Sequence, residues 1–233
     1  MQGPQKILPA DAFYDAVAME YNSHMTENDR KAREIISIEF GKYVKSGNIL
    51  DFGGGTGLDL PWLINKSNYQ LFFLETSYGM REVAKANMLE GPRANEIFFV
   101  ENNVDFNKWN LNTLPFTQKI DGILANFAVL NSIPNLEDFF EKIALICNKN
   151  CHLVLTVLDS RLSVIFRKYP LKNSIKYFLQ KKLVLVNNYN NVSHKTYIHS
   201  LKELKSSSKA YFNYISFTPV RFSNFALLVL SRK

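Results

Sequence analysis

At 233 residues the chain exceeds a typical single domain, yet α/β folds commonly reach this size as one unit, and 18 Phe with 11 Tyr supply a large core. No apolar run reaches the roughly 20 residues a membrane helix needs, and the opening MQGPQK lacks the hydrophobic stretch of a signal peptide, so a cytoplasmic protein without a membrane partner is expected. The net charge of +7 collects largely after residue 160, from Arg161 to Lys209, which reads first as a solvated basic face and leaves a nucleic-acid partner open but not favoured.

The first predicted element is an N-terminal helical segment over about residues 10–45. In AFYDAVAMEYNSHMT (12–26), Phe13, Ala16 or Val17, and Tyr21 fall at helical spacing, as a packing face requires. The second half, RKAREIISIEF (30–40), fits an amphipathic stripe only in part, through Ile35, Ile38 and Phe40.

Residues 48–57, NILDFGGGTG, carry a short apolar strand into a turn with four glycines in five residues. Such a turn permits positive φ and brings a ligand close to main-chain N–H groups. A dinucleotide fingerprint would place its third glycine at Leu58, and a P-loop would end in Gly-Lys-Ser/Thr; neither spacing is met. Asp51, ahead of the turn, repels phosphate and suits a cationic or neutral ligand such as an amino-acid ammonium. The pattern DFGGGTG resembles motif I of the class I S-adenosylmethionine-dependent methyltransferases. That resemblance implies that Asp51, Gly53, Gly54, Gly55 and Gly57 surround the cofactor.

The next apolar run, Tyr69–Leu74, ends in Glu75, roughly 20 residues past the turn, where Rossmann-like sheets place a carboxylate on ribose hydroxyls. A solvated strand end is the plainer alternative. LETSYGM (74–80) is similar to the family's acid-x-Ser-x-x-Met pattern, which implies that Thr76 and Met80 lie near the cofactor. A third strand, 96–100, leads into ENNVD. The family usually has Gly-Asp-Ala here, its Asp facing the adenine amino group; by distance Asn103 matches that Asp, with Val104 beside it, while Asp105 falls two places late. Asn keeps a carbonyl acceptor, and the choice between Asn103 and Asp105 stays open. A fourth strand, 119–125, runs into NFAVLNSIPNL, similar to the segment NFGALNxxxDL of small bacterial methyltransferases. That likeness implies that the main chain at Asn126 and Phe127 flanks the methionine part of the cofactor. The Asn/Asp-Pro-Pro-Tyr sandwich of amino-methyltransferases and the Pro-Cys nucleophile of 5-methylcytosine enzymes are both missing.

A helix over 136–146 has a clear core face and is followed by a fifth strand, 151–158. Cys147 and Cys151 flank this junction; two thiols without partnering histidines do not make a zinc site, so buried free thiols and no metal are expected. Past residue 159 the βα rhythm stops. Residues 181–198 read as a hairpin of 183–186 and 192–198 around an Asn-rich turn, 187–191, and Ser200 with Glu203 forms a capping box. Two last runs, 211–220 and 224–231, form an antiparallel pair.

The elements predict one α/β domain over 1–233: a Rossmann-like, seven-stranded, mainly parallel sheet with helices on both faces and an antiparallel final pair. The resemblance implies S-adenosylmethionine as cofactor and methyl transfer to the O or N nucleophile of a small-molecule acceptor. A tRNA or protein acceptor, or a non-catalytic cofactor-binding module, are the alternatives. It further implies a lid over 10–45, with Tyr21 touching the cofactor and Tyr14 balanced between packing and lid, and a substrate cap over 160–200 between strands five and six. A base is needed only for a protonated nucleophile; His24, Tyr14 and His194 are candidates, none marked by its sequence context.

Overall fold

The computed structural model describes residues 6–66, 68–88, 96–100, 106, 109–110, 112–189 and 191–233. In chain order the elements are β1 (Lys6–Ile7), α1 (Ala10–Val17), a 3-10 turn (Tyr21–His24), α2 (Glu27–Tyr43), β2 (Gly47–Phe52), α3 (Leu60–Ile64), β3 (Tyr69–Leu74), α4 (Tyr78–Met88), β4 (Ile97–Phe99) and β5 (Ile120–Ala125). A second 3-10 turn (Val129–Ser132) leads to α5 (Leu136–Ile146), β6 (Cys147–Leu158), α6 (Leu162–Lys168), α7 (Leu171–Gln180), β7 (Lys182–Tyr189), β8 (Val192–His199), α8 (Leu201–Ser208), β9 (Phe212–Pro219) and β10 (Phe225–Arg232).

Seven strands pair in the order β4-β3-β2-β5-β6-β10-β9. The first five run parallel, and β10 lies antiparallel to both β6 and β9. Strand β2 is buried from Ile49 to Phe52 because helices cover both sheet faces, as parallel sheets demand. Its alternate residues divide two cores. Leu50 and Phe52 face Phe139, Phe140 and Ile143 of α5 and Leu204 of α8. Ile49 faces Ile36 and Phe40 of α2, Leu63 of α3 and Ala84 of α4. Burial of a ring such as Phe73 or Phe139 contributes about 1.5–3 kcal/mol. Chain order reverses direction where β2 meets both β3 and β5, so the crevice at their carboxyl ends is a topological switch point, the place where open α/β sheets hold ligands.

Three details differ from the sequence expectation. The N-terminal segment is not one helix: α1 stops at Val17, the 3-10 turn follows, and α2 begins anew because Thr26 and Asp29 close a reciprocal capping box. Asn187 and Asn188 belong to strand β7 rather than to the turn, because Asn187 Nδ2 donates to Thr196 Oγ1 at 2.6 Å and Ser193 Oγ donates to Asn188 Oδ1 at 2.8 Å, settling the amides on the ladder itself. The segment 160–200 also contains two helices, α6 and α7, that its sequence did not announce.

A second, three-stranded sheet has the order β1-β8-β7, with β1 parallel to β8. Strand β1 and the hairpin β7–β8 of the segment 160–200 are therefore one layer, extended by Leu8 N–H donating to the Ser193 carbonyl at 2.8 Å. Tyr189 hydroxyl donates to the Glu20 carboxylate, and Asn131 Nδ2 donates to the Tyr197 carbonyl at 2.6 Å. Both cysteines are buried and free. Among the described residues, no helix is long and apolar enough to cross a membrane, and no three His, Cys, Asp or Glu side chains gather as metal ligands do.

Candidate active site

The carboxyl ends of β2, β3 and β5 open into a cavity of about 670 Å³. Its floor is the turn after β2. Gly53 N–H donates to the Leu74 carbonyl at 2.7 Å, which locks the turn to the end of β3. A Cβ on Gly54 would lie 2.2 Å from the Phe73 ring and 2.6 Å from Asp51 Oδ2, so no larger residue fits there. Gly55 holds φ at +59° with open space beside its Cα, and its N–H donates to Glu75 Oε2 at 2.8 Å.

Glu75 lines the wall. Its other oxygen, Oε1, accepts the Ser77 N–H at 2.8 Å. Burial pushes the Glu75 carboxyl up from its ordinary value, and the N–H groups of Ser77, Gly55 and Thr76, with the Arg81 guanidinium, pull partly against that. Ser77 Oγ accepts from the Met80 N–H and donates to Asp15 Oδ1 at 2.6 Å; the same Asp15 oxygen accepts the Gly79 N–H at 2.8 Å. Asp15 thus ties α1 to the start of α4.

The opposite wall is a polar chain that sequence reading did not assemble. Arg33 of α2 pairs with Asp59. Asp59 also accepts Trp62 Nε1–H and Asn126 Nδ2–H, each at 2.9 Å. Asn126 Oδ1 in turn accepts the Phe127 N–H at 2.8 Å and the Thr156 hydroxyl at 3.1 Å. The Arg33 guanidinium stacks 4.0 Å above the Phe127 ring, while Phe127 and Ala128 both take positive φ as the chain leaves β5. Asp51 lies at the hub with 1% of its surface exposed, and neither carboxylate oxygen has a hydrogen-bond partner among the described residues. Burial, and then the nearby Asp59 and Glu75 charges, hold its carboxyl well above the usual range despite Arg33.

Tyr14, Tyr21, Gly53, Gly54, Gly55, Glu75, Thr76, Met80, Asn126 and Phe127 all line this one cavity. Asp51 does not: its carboxylate sits beneath Gly54, facing the hub rather than the open space. Gly57 also points elsewhere; its φ of +77° serves close packing, since a Cβ would meet Leu60 at 2.8 Å and Ala84 at 3.0 Å. His24 is exposed and meets the Tyr189 ring edge-on, outside the cavity. Asn103, Val104 and Asp105 lie outside the described residues.

His194 is buried behind the wall, its Nε2 3.2 Å from Ser132 Oγ, and Ser132 does line the cavity. Burial lowers the His194 pKa, opposed by the Leu8 backbone. Burial, with the neighbouring Tyr21, raises the Tyr14 pKa to about 12, opposed by the Ser132 hydroxyl. Arg33, Asp59, Phe106 and Ser132 are lining residues that the sequence did not single out. Arg33 left one trace, a charge beside the apolar positions Ala32, Ile36 and Phe40 of α2.

A family profile described as "methyltransferase domain" matches residues 21–216. The chain belongs to the methyltransferase domain family. No curated protein sequence matches this methyltransferase domain. Among solved structures it is similar to the CcbJ methyltransferase from Streptomyces caelestis, at 14% identity and a TM-score of 0.71, covering 94% of this chain and 97% of that one. A DhpI complex with SAH aligns at 16% identity and a TM-score of 0.66, covering 95% and 94%. The Burkholderia thailandensis 1,6-didemethyltoxoflavin-N1-methyltransferase, with its substrate and S-adenosylhomocysteine bound, aligns at 14% identity and a TM-score of 0.62, covering 100% and 93%. At these identities the likeness is one of fold.

Proposed function

We propose that the cavity binds S-adenosylmethionine and that the protein transfers its methyl group to the O or N nucleophile of a small-molecule acceptor. The observation that carries this reading is the convergence of a bare glycine turn and Glu75 at one switch-point cavity, with Asp51 buried directly beneath Gly54. The residues fit a ligand with an ammonium and a sulfonium: three carboxylates, Asp51, Asp59 and Glu75, interact across the hub. In this reading Gly53, Gly54 and Gly55 cradle the amino-acid tail. Asp51 supports them from below by packing its carboxyl against Gly54. Glu75 keeps spare lone pairs on both oxygens for the ribose hydroxyls after its two backbone hydrogen bonds. Thr76, Met80 and Phe106 line the adenosine side, and Asn126 and Phe127 the methionine side. Tyr21, from the layer above, closes over the ligand as a lid.

S-adenosylmethionine supplies an electrophilic methyl on a good leaving group, so what remains for the protein is alignment and the exclusion of water, worth about 7 kcal/mol or more in effective concentration. Tyr14 and Ser132 present hydroxyls on the acceptor side of the cavity. When the acceptor brings a proton, Ser132 Oγ takes it as its own proton passes to His194 Nε2. Burial keeps the His194 imidazole neutral and able to receive that proton at physiological pH. The segment 160–200, which delivers His194, acts as the substrate cap. A cytoplasmic setting agrees with the two thiols, since reduced cysteines persist there.

Calorimetry with S-adenosylmethionine and S-adenosylhomocysteine tests the assignment. Wild-type protein binds both, and Glu75→Gln loses most of the heat while keeping its circular dichroism spectrum. Equal binding by the variant overturns the ribose role; no binding by the folded wild type overturns the cofactor.

A further inference from the structure

The positive charge of this chain has one source. Residues 160–200 contain eight Lys and Arg and no Asp or Glu, which leaves 20 basic against 21 acidic residues in the rest of the protein. On α7 the same segment displays an apolar stripe: Leu171, Ile175, Phe178 and Leu179, at i, i+4, i+7 and i+8, are 67%, 46%, 49% and 73% exposed. The helix cannot roll to hide them. Tyr177 hydroxyl donates to the Ser160 carbonyl at 2.9 Å, and Ser174 Oγ donates to the Ile165 carbonyl at 3.1 Å, which fix the opposite face inward. Phe166 of α6 is likewise 46% exposed. Lys168, Lys172, Lys176 and Lys181 are all exposed around the stripe, and Lys181 Nζ lies 4.6 Å from the Phe178 ring centroid.

Three occupants compete for such a face. A nucleic acid satisfies the lysines but leaves four large apolar side chains in water. A second copy of the chain covers the stripe but brings one acid-free basic segment against another. An anionic bilayer satisfies both features: the apolar side chains enter the headgroup–acyl boundary while the lysine stems carry their ammonium groups up to the lipid phosphates. We propose that α7, with α6 beside it, docks this protein onto an anionic lipid surface. No membrane-crossing helix is needed, because the helix lies in the interface. The proposal stands apart from the cofactor assignment, since none of these side chains lines the cavity.

Co-sedimentation with vesicles of phosphatidylglycerol and phosphatidylcholine tests it, with pure phosphatidylcholine vesicles and a single-stranded RNA oligonucleotide as comparators. Wild type binds the anionic vesicles, weakly or not at all the neutral ones, and is released by salt. Phe178→Ser with Leu179→Ser loses binding at unchanged charge, and Lys172→Glu with Lys176→Glu lowers it by about 20-fold or more. Both pairs are exposed, so the circular dichroism spectrum and the melting point stay at the wild-type values and certify the fold. The proposal is overturned if wild type ignores anionic vesicles or if the Phe178 and Leu179 changes leave vesicle binding intact. It is equally overturned if RNA binds more tightly with no dependence on those two residues, or if they instead abolish a dimer seen by sedimentation velocity.

Discussion

The cavity has a floor and a cover, and the two are built in different ways. The floor is main chain: Gly53 and Gly55 donate backbone N–H groups across the β2 and β3 ends, and Gly53 and Gly54 leave no room for a side chain. The cover, formed by β1, α1, the first 3-10 turn, β7 and β8, is held by separate side-chain ties: Asp15 to Ser77, Asn22 to Thr56, Tyr189 to Glu20 and Asn131 to Tyr197. A floor made from backbone fails when one residue gains a methyl group, whereas a cover made from several ties weakens by degrees.

The largest effect is expected at the floor. Gly54→Ala forces a methyl into Phe73 and Asp51, costs about 1–3 kcal/mol of stability, and abolishes cofactor heat in calorimetry; a variant with wild-type melting and binding would contradict the packing described. Glu75→Gln comes next. Replacing a carboxylate that accepts two backbone N–H groups is expected to weaken S-adenosylhomocysteine binding by about 10- to 100-fold, since hydrogen bonds to charged groups are worth about 1.5–3 kcal/mol each.

Asp51→Asn separates stability from function. The folded-state pKa of Asp51 lies above its unfolded value, so its contribution to stability is present below the unfolded carboxylate pKa and is lost as pH rises through the folded one. The variant is therefore expected to melt higher than wild type at neutral pH, the difference closing in acid, while binding the cofactor less tightly. A melting point that is lower at neutral pH and independent of pH would count against the buried carboxylate's role.

His194 lies where cover meets floor, and its shift has the opposite sign: the folded pKa lies below the unfolded one, so stability falls as pH drops through that window. Its ring is expected to titrate below pH 6.5 by NMR. With an acceptor in hand, the acid limb of the rate profile should follow that titration in wild type and vanish in His194→Gln. The smallest effect belongs to a single cover tie. Tyr189→Phe removes one hydrogen bond, about 0.5–1.5 kcal/mol, and should shift the melting curve slightly while leaving cofactor affinity within about threefold.

The floor was legible in the sequence because its information is local. The run from Asn48 to Gly57 states strand, turn and ligand type within ten residues, and Glu75 follows at a spacing fixed by one βα unit. The parallel strands up to β6 follow from the same alternation, and the antiparallel final pair from two apolar runs joined by a short turn. Asn187 and Asn188 misled because amide side chains that favour turns can also be satisfied along a ladder.

The sequence by itself determined a Rossmann-like sheet, a glycine-floored switch point and the acid at the end of β3, since each depends on residues near one another in the chain. Only the tertiary structure decided that Asp51 lies beneath the cavity rather than in it, that Arg33, Asp59 and Asn126 form one wall, and that His194 reaches Ser132. It also decided that the two ends of the cover are one sheet, Lys6 pairing with Val192. Those contacts join residues 26 to about 190 positions apart, and nothing in the local spacing of side chains encodes which distant partners meet once the two cores have closed.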